Sequence, residues 1–454
     1  MNILENDIIG AATLISLFLL IIAEAEIWTR TRHPSPEAAR KLVHVLGGLG
    51  CLLFPFFISS PIVVAGIAFL FAALFVTGEK SGLLLSLSGV ERQSRGSEYF
   101  PIAVSGLFYI SQGRPWLYFS SILILTLADS AAALIGSRYG KIRFQVGQED
   151  TKSLEGSFFF WAITFLVLQT MLILMTDLPV YSCILAAYLV AFLLTCIEAV
   201  SIKGTDNLFV PVLTSYILLK ITTKPTAEIA FQCLSMTTIF ILLALISRGL
   251  KIFNIRDTIL FTAFSYAAWS LGSVDWGVPI FASFGLYCLV RIFSTIKVDR
   301  EIETSAILRL IIIPFTILII ANGVDRYEEL YAPYLLTVLL SCCFGIWTHL
   351  IWSPQIRQQR NIAGVLAALV ASFTVIGISS LFQLEKGIPL ASLGLLVVFA
   401  VIFMYIYDCF LADKLDNREL LVMSAPFWKL SLVAAILFYT AQSGLNLKFW
   451  HPDF

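Results

Sequence analysis

Uninterrupted apolar segments of about 20 residues recur along the whole chain, and they constrain its fold more than any other feature. Of the 454 residues, 58% are hydrophobic and only 13% are charged, and the mean hydropathy is +0.88. A helix of about 20 residues crosses the bilayer core, where lipid cannot hydrogen-bond an open backbone. Because the apolar residues form continuous runs rather than alternating, the sequence favours helices over strands. We therefore expect an all-α, polytopic transmembrane helical bundle.

The apolar runs predict about sixteen membrane spans. Their approximate bounds are 8–27, 42–58, 61–77, 99–113, 116–136, 157–176, 178–198, 207–222, 229–247, 257–273, 276–293, 304–322, 331–350, 361–382, 389–410 and 426–443. No basic residue precedes Arg30, whereas a cleavable signal peptide opens with basic residues, so we expect the first run to be retained as a span.

The basic residues support this count, because a missed or extra span would reverse the charge pattern of every later loop. All but six of the 30 Lys and Arg residues follow odd-numbered spans; the exceptions are Arg114, Lys220, Lys224, Arg326, Lys386 and Lys448. Basic residues accumulate in cytoplasmic loops. We therefore expect both termini to be non-cytoplasmic.

The two halves of the chain differ in the polarity of their predicted cytoplasmic loops. The loops of residues 1–222 are long and rich in Gly, Ser, acids and bases, whereas those of residues 223–454 carry ordinary flanking charges. We predict a catalytic transmembrane domain of about eight helices in 1–222 and an additional transmembrane domain of unknown role in 223–454. The formal net charge is zero, so we expect no nucleic-acid partner.

The predicted fifth span contains an ionisable residue near its end. Asp129 shares one helical face with Ala132, Ala133 and Gly136, small residues that would let a helix or ligand approach its carboxylate. An ionisable residue within a span is costly and by default marks function. The alternative is a structural ion pair with Arg138 or another base.

Two further acidic segments surround the sixth and seventh spans. The segment from Lys152 to Ser157 would form either a Ser-capped helix start or a phosphate cradle of small residues and a lysine. Glu198 and Asp206 would likewise be a snorkelling residue and a helix cap if each acted alone. With Asp129 and Glu155, however, they place four carboxylates on the predicted cytoplasmic face, where Mg²⁺ and phosphates would be bound.

Basic residues open the second and fourth spans. Arg40, Lys41 and Arg95 are explained by topogenic anchoring, and they could equally bind phosphate. His44, one turn inside the second span, could titrate, donate to a phosphate, or simply pack against its neighbours.

Four motifs together resemble the family of membrane CTP-dependent lipid kinases that contains phytol kinase and dolichol kinase, distant relatives of phosphatidate cytidylyltransferase. They are Arg40-Lys41-x-x-His44, Asp129 with the downstream Gly136-x-x-x-Gly140-Lys141, Lys152-Ser153-x-Glu155-Gly156-Ser157, and Glu198-x-x-Ser201-x-x-Gly204-x-Asp206-Asn207-x-x-x-Pro211. The resemblance covers about residues 36–222.

The resemblance implies transfer of the γ-phosphoryl group of CTP to the hydroxyl of a membrane isoprenoid alcohol of the phytol, polyprenol or dolichol type. It implies Mg²⁺ bound by Asp129, Asp206 and Glu155, although Asp129 could instead accept the hydroxyl proton. The implied catalytic residues are Asp129, Lys152, Glu155, Asp206 and Asn207. The implied nucleotide- and phosphate-binding residues are Arg40, Lys41, His44, Arg95, Gly140, Lys141, Ser153, Gly156 and Glu198. The site would face the cytoplasm.

Other functions remain open at this point. A diacylglycerol kinase or a phosphatidate cytidylyltransferase would also use CTP, and a non-enzymatic polytopic transporter or scaffold would use none. The chain length of the alcohol depends on the shape of a groove between helices, and the sequence does not specify it or the oligomeric state.

Overall fold

The computed structural model describes residues 3–81, 84, 95–146, 151–250, 254–294, 304–351, 359–382, 390–411 and 420–445. The chain forms two compact units, Met1–Thr237 and Thr238–Phe454. The predicted domain boundary between residues 222 and 223 lies within the first unit, and the division between the two units falls inside a later helix. The catalytic role given to residues 1–222 stays a prediction.

The first unit consists almost entirely of helices. They are α1 (Ile3–Arg32), α2 (Pro36–Cys51), α3 (Phe54–Phe57), α4 (Pro61–Lys80), α5 (Gly96–Ile110), α6 (Pro115–Leu123), α7 (Asp129–Tyr139), α8 (Leu154–Met175), α9 (Val180–Val200) and α10 (Asp206–Ile221). A short antiparallel hairpin of β1 (Arg143–Gln145) and β2 (Thr151–Ser153) precedes α8. The next helix, α11 (Thr226–Leu250), contains the boundary between the units.

A π-helical turn, Ile124–Ala128, joins α6 to α7 within one apolar segment. Such turns occur mostly as isolated irregularities and often at functional sites. Here the turn ends directly before Asp129, whose backbone N–H donates to the carbonyl of Ile124. Asp129 therefore begins α7 at an irregular point of the span.

The second unit contains α12 (Ile255–Phe293), α13 (Thr304–Val324), α14 (Tyr327–Leu350), α15 (Arg360–Phe382), α16 (Leu390–Leu411) and α17 (Leu420–Gly444). Helix α14 is its centre, since most of its side chains are buried in one apolar core. Helix α12 is broken at Ser273, which has a φ of 76°. This break lies between the two spans that the sequence predicts there.

Eleven described helices are long and apolar enough to cross a membrane. The protein is therefore a multi-pass integral membrane protein. Helices lie at all sixteen predicted positions, but α12 counts once. Four others are not among the eleven: α5 and α10, with 15 and 16 residues, α13, whose apolar part is Leu308–Val324, and α17. The count of sixteen and the orientation of the termini stay predictions.

Candidate active site

A buried ion pair connects α2 to α7. The ammonium of Lys41 donates to Oδ2 of Asp129, and both residues are buried. His44, one turn along α2, has its Nε2 3.5 Å from the same carboxylate oxygen and 2.9 Å from the carbonyl oxygen of Leu125 in the π turn. Because a carbonyl only accepts, Nε2 carries the proton and a neutral His44 keeps a lone pair on Nδ1. The two α2 side chains thus hold the Asp129 carboxylate from one side.

A second charged cluster joins β2 to the ends of α9 and α10. The ammonium of Lys152 contacts Oε1 of Glu198 and lies 3.4 Å from Oδ2 of Asp206. Burial disfavours the charged lysine, but the two carboxylates outweigh it and raise the pKa of Lys152 above its usual range. Lys152 is therefore a permanent cation at neutral pH.

The hairpin and the first turn of α8 are packed tightly against α7. The hydroxyl of Ser153 caps α8 by accepting the N–H of Gly156 at 3.1 Å. A Cβ on Gly156 would lie 2.9 Å from the carbonyl oxygen of Ala132, and a Cβ on Gly136 would lie 2.8 Å from the Ser153 hydroxyl. The glycines therefore allow α7 and α8 to approach closely.

The carboxylate of Glu155 holds the entry to this hairpin. It accepts the backbone N–H groups of Lys141 at 3.0 Å and of Ile142 at 3.3 Å. These bonds orient the carboxylate towards the α7–β1 connection, and Glu155 does not line the pocket described next.

A cavity with about 1030 Å³ of empty space, its open mouth included, lies between these elements. We call it the polar pocket. Its acids are Glu37, Asp129, Glu198 and Asp206, and its bases are Arg40, Lys41, Arg143 and Lys152. Two buried atoms in its wall, Oε2 of Glu198 and the hydroxyl of Ser157, have no hydrogen-bond partner among the described residues. Buried polar atoms normally have partners, so this wall is suited to a polar ligand.

A second cavity, with about 1140 Å³ of empty space including its mouth, lies between α1, α2, α4 and α5. We call it the apolar groove. Its wall is mainly aliphatic and aromatic and includes Phe18, Gly47, Phe54, Phe71 and Phe100. The apolar groove and the polar pocket share two lining residues, Arg40 and Asn207. A charged space and an apolar space therefore meet at one point of the first unit.

Sequence comparison relates part of this chain to a known protein. The phytol kinase of Synechocystis sp. (strain ATCC 27184 / PCC 6803 / Kazusa) is 32% identical over 194 residues, which are 42% of this chain and 82% of that protein. The chain belongs to the phytol kinase family. The predicted family resemblance is confirmed at this level. No family model matches the chain, and no solved structure matches it.

The structure of this phytol kinase family member brings together most of the predicted site residues. Those that line the polar pocket are Arg40, Lys41, Asp129, Lys152, Ser153, Gly156, Glu198, Asp206 and Asn207. His44 lines the apolar groove and contacts the ring of Phe100 edge-on, with the ring centroids 5.1 Å apart.

Four predicted residues line neither cavity: Arg95, Gly140, Lys141 and Glu155. The backbone N–H of Arg95 donates to the carbonyl of Lys203 at 3.0 Å, which ties the start of α5 to the loop before α10. Gly140 ends α7 beside the Ser153 side chain. The functional roles predicted for these four residues stay predictions.

Several pocket residues were given no individual role from the sequence, among them Glu37, Arg143 and Ser157. Ser157 belongs to the predicted Lys152–Ser157 segment, and its spacing of one helical turn from Ser153 could have identified it individually. Arg143 donates to the carbonyls of Gly140 and Ser137. No comparable pattern marks it in the sequence.

The donor chemistry of the polar pocket suits a magnesium ion. Its carboxylates and the Asn207 carboxamide supply the oxygen ligands that Mg²⁺ prefers. In the described part of the chain, no group of three or more His, Cys, Asp or Glu side chains is close enough to hold a metal ion. Asp129 and Asp206 line the same cavity, whereas Glu155 lies outside it. Magnesium binding stays a prediction.

Proposed function

We propose that the protein transfers the γ-phosphoryl group of CTP to the hydroxyl of a membrane isoprenoid alcohol. The observation that carries this proposal is the junction of the polar pocket with the apolar groove at Arg40 and Asn207. A nucleoside triphosphate is highly charged, whereas an isoprenoid alcohol is an apolar chain with one hydroxyl. The two substrates therefore fit two adjoining spaces of opposite character.

The charges in the polar pocket support a phosphoryl-transfer role. Such catalysis consists mainly of positioning the reactants and neutralising the phosphate oxygens. Arg40, Lys41, Arg143 and Lys152 surround the same space and would contact the phosphates. When bound, Mg²⁺ would neutralise phosphate oxygens, and Asp129 and Asp206 would hold it there.

Asp129 is the residue on which the proposed reaction depends most. Its carboxylate is oriented by Lys41 and lies beside His44, which faces the apolar groove. Metal binding and acceptance of the hydroxyl proton both require a charged carboxylate at this position. Either role is removed by Asp129→Asn, which keeps the size of the side chain.

The proposed kinase activity can be tested with purified protein in phospholipid nanodiscs. With Mg²⁺ and CTP labelled at the γ-phosphate, we expect phytol, farnesol or dolichol to be converted into the labelled prenyl phosphate while CTP is converted into CDP. ATP and GTP as donors test the choice of CTP. We expect Asp129→Asn to lose at least about 100-fold in turnover, as when an essential acid–base group is removed.

The matched control is Asp177→Asn, which makes the same exchange at an exposed acid in the loop after α8. Full turnover by Asp129→Asn would refute the assignment of Asp129 to the active site. Pyrophosphate release with phosphatidate as acceptor would indicate a cytidylyltransferase, and labelling of diacylglycerol alone would indicate a diacylglycerol kinase. Lipid flux into proteoliposomes without CTP consumption would indicate a transporter.

The polar pocket is proposed to face the cytoplasm, where CTP is available. Single-cysteine labelling of intact cells at exposed positions beside the pocket, such as Ser137 and Lys203, tests this orientation. We expect a membrane-impermeant maleimide to label them only after permeabilisation. Labelling of intact cells would reverse the proposed orientation.

A further inference from the structure

We infer that the apolar groove binds the prenyl chain of the acceptor alcohol and that its aromatic far end limits the length of chain the enzyme uses. This inference rests on the proposed kinase function and specifies its substrate. The supporting observations are the polar and aromatic ends of the groove, its length, and the position of Gly47 in its wall.

The polar end of the groove is equipped to hold a hydroxyl. Asn207 is only 5% exposed, and it lines both cavities. His44 lines the groove beside Asp129 with its Nε2–H already donated to Leu125. A hydroxyl placed between Asn207 and Asp129 would therefore lie at the boundary of the polar pocket.

The groove wall follows single faces of its helices. On α2 it is formed by Arg40, Val43, His44, Gly47 and Cys51, which recur at helical spacing. Helix α4 contributes Val64, Ile67, Ala68, Phe71 and Phe75 in the same way. The groove therefore runs along the helix axes, from the polar pocket into the apolar part of the bundle.

The length of the groove can be compared with that of a prenyl chain. From Arg40 to Cys51, α2 rises by about 16 Å, and Phe54 lies about one turn further. An extended isoprene unit adds about 5 Å, since it contains four main-chain bonds of about 1.5 Å each. The groove therefore accommodates about four units, the length of phytol, and is much shorter than dolichol.

Aromatic rings converge at the far end of the groove. The ring of Phe18 lies 5.8 Å from that of Phe54 and 5.4 Å from that of Phe71, measured between centroids, and all three residues are buried. The carboxylate of Asp7 in α1 accepts the backbone N–H groups of Ser59 and Ser60, at 2.8 and 2.9 Å. Asp7 therefore ties α1 to the turn before α4.

Gly47 provides a direct test because it lies in the groove wall midway along α2. A Cβ added at Gly47 meets no atom within 4 Å, so a larger side chain would extend into open space without displacing the backbone. Gly66 of α4 also has no atom within 4 Å of an added Cβ, but it lines neither cavity. Gly47→Leu and Gly66→Leu are therefore matched substitutions that differ in their access to the groove.

The experiment measures kcat/KM for geraniol, farnesol, phytol and dolichol with CTP and Mg²⁺. In the wild type we expect kcat/KM to rise with chain length up to phytol and to fall at dolichol. In Gly47→Leu we expect a loss of at least tenfold for phytol and less than threefold for geraniol, while Gly66→Leu keeps the wild-type profile. Phe54→Ala should raise kcat/KM for chains longer than phytol.

The possible failures are distinguishable. If the wild type phosphorylates prenyl alcohols but Gly47→Leu leaves the profile unchanged or lowers all substrates equally, the inference is wrong and the proposed function stands. If the wild type phosphorylates no prenyl alcohol, the proposed function fails and the inference with it. Photocrosslinking with a diazirine-tailed prenyl alcohol gives a readout independent of turnover. Labelling confined to peptides outside α1–α5 would also overturn the inference.

Discussion

Replacing Lys152 with methionine would leave the carboxylates of Glu198 and Asp206 without the cation that lies between them. Glu198 is only 3% exposed, and its Oε2 already has no partner among the described residues. Removing one member of a buried ion pair costs about 3–5 kcal/mol, because the remaining charge stays buried without compensation. The side chains of Lys152 and Asp206 keep 17% and 13% of their surface exposed, so water screens part of this cost. We therefore expect a loss of about 3 kcal/mol.

The loss can be measured as a shift in the thermal unfolding of the protein in detergent. At about 2–4 °C per kcal/mol for a unit of this size, Lys152→Met should lower Tm by about 6–12 °C. Lys224→Met is the matched control, because Lys224 pairs with Glu228 one turn away and both side chains are 28% or more exposed. Such a pair contributes about 0–0.5 kcal/mol, so the control should barely change Tm.

A double substitution identifies the cause of the loss. Lys152→Met combined with Glu198→Gln removes both charges and should recover most of the lost Tm, whereas independent effects would add. Because folding raises the pKa of Lys152, its stabilisation is complete below the ordinary lysine value of 10.5 and is lost only as the pH rises beyond it. Titration of Lys152 itself should therefore contribute no pH dependence to Tm across neutral pH. An unchanged Tm in Lys152→Met, or additive loss in the double variant, would refute this reasoning.

Two further substitutions test the packing of the hairpin against α7. Gly156→Ala should cost about 1–3 kcal/mol by overpacking, since the new methyl would lie 2.9 Å from the carbonyl oxygen of Ala132. The control is Gly106→Ala, whose added methyl meets no atom within 4 Å. An equal Tm for both variants would contradict the close contact at Gly156. Glu155→Gln should keep most of the kinase activity, because a carboxamide oxygen can still accept the two backbone N–H groups at the hairpin entry. Loss of activity with recovery at high Mg²⁺ would instead identify Glu155 as a metal ligand.

The positions of the helices were predictable because each apolar run is long enough to bury its own backbone hydrogen bonds. The gathering of Asp129, Glu198 and Asp206 around one cavity was also inferred from the alternation of the membrane faces. The partner of Asp129 was not predictable. Sequence proximity suggested Arg138, but the structure gives Lys41, 88 residues away on α2. Such a pair depends on which helices are neighbours, and local spacing does not contain that information.

The apolar groove was not predictable for a different physical reason. Helices α1, α2 and α4 are rich in apolar residues, and a face that lines a groove has the same composition as a face that contacts lipid. The hydrogen bonds of Glu155 were also not predictable, because acceptance of backbone N–H groups leaves no pattern beyond an acid in the first turn of a helix. In both cases a side chain's environment decides its role, and that environment comes from distant segments.

The π-helical turn before Asp129 rotates the side chains of the second half of the span relative to those of the first half. Upstream of it, Ser121 of α6 lies 3.1 Å from the Ser215 hydroxyl of α10, and downstream Asp129 pairs with Lys41 of α2. Each residue of an α-helix advances the side-chain direction by about 100°, so the extra residue acts as a phase shift between the two contacts. Deleting one residue from Ile124–Ala128 would leave a regular helix anchored to α10 with its carboxylate turned away from α2. The extra residue therefore allows one span to contact α10 and also to direct the Asp129 carboxylate towards α2.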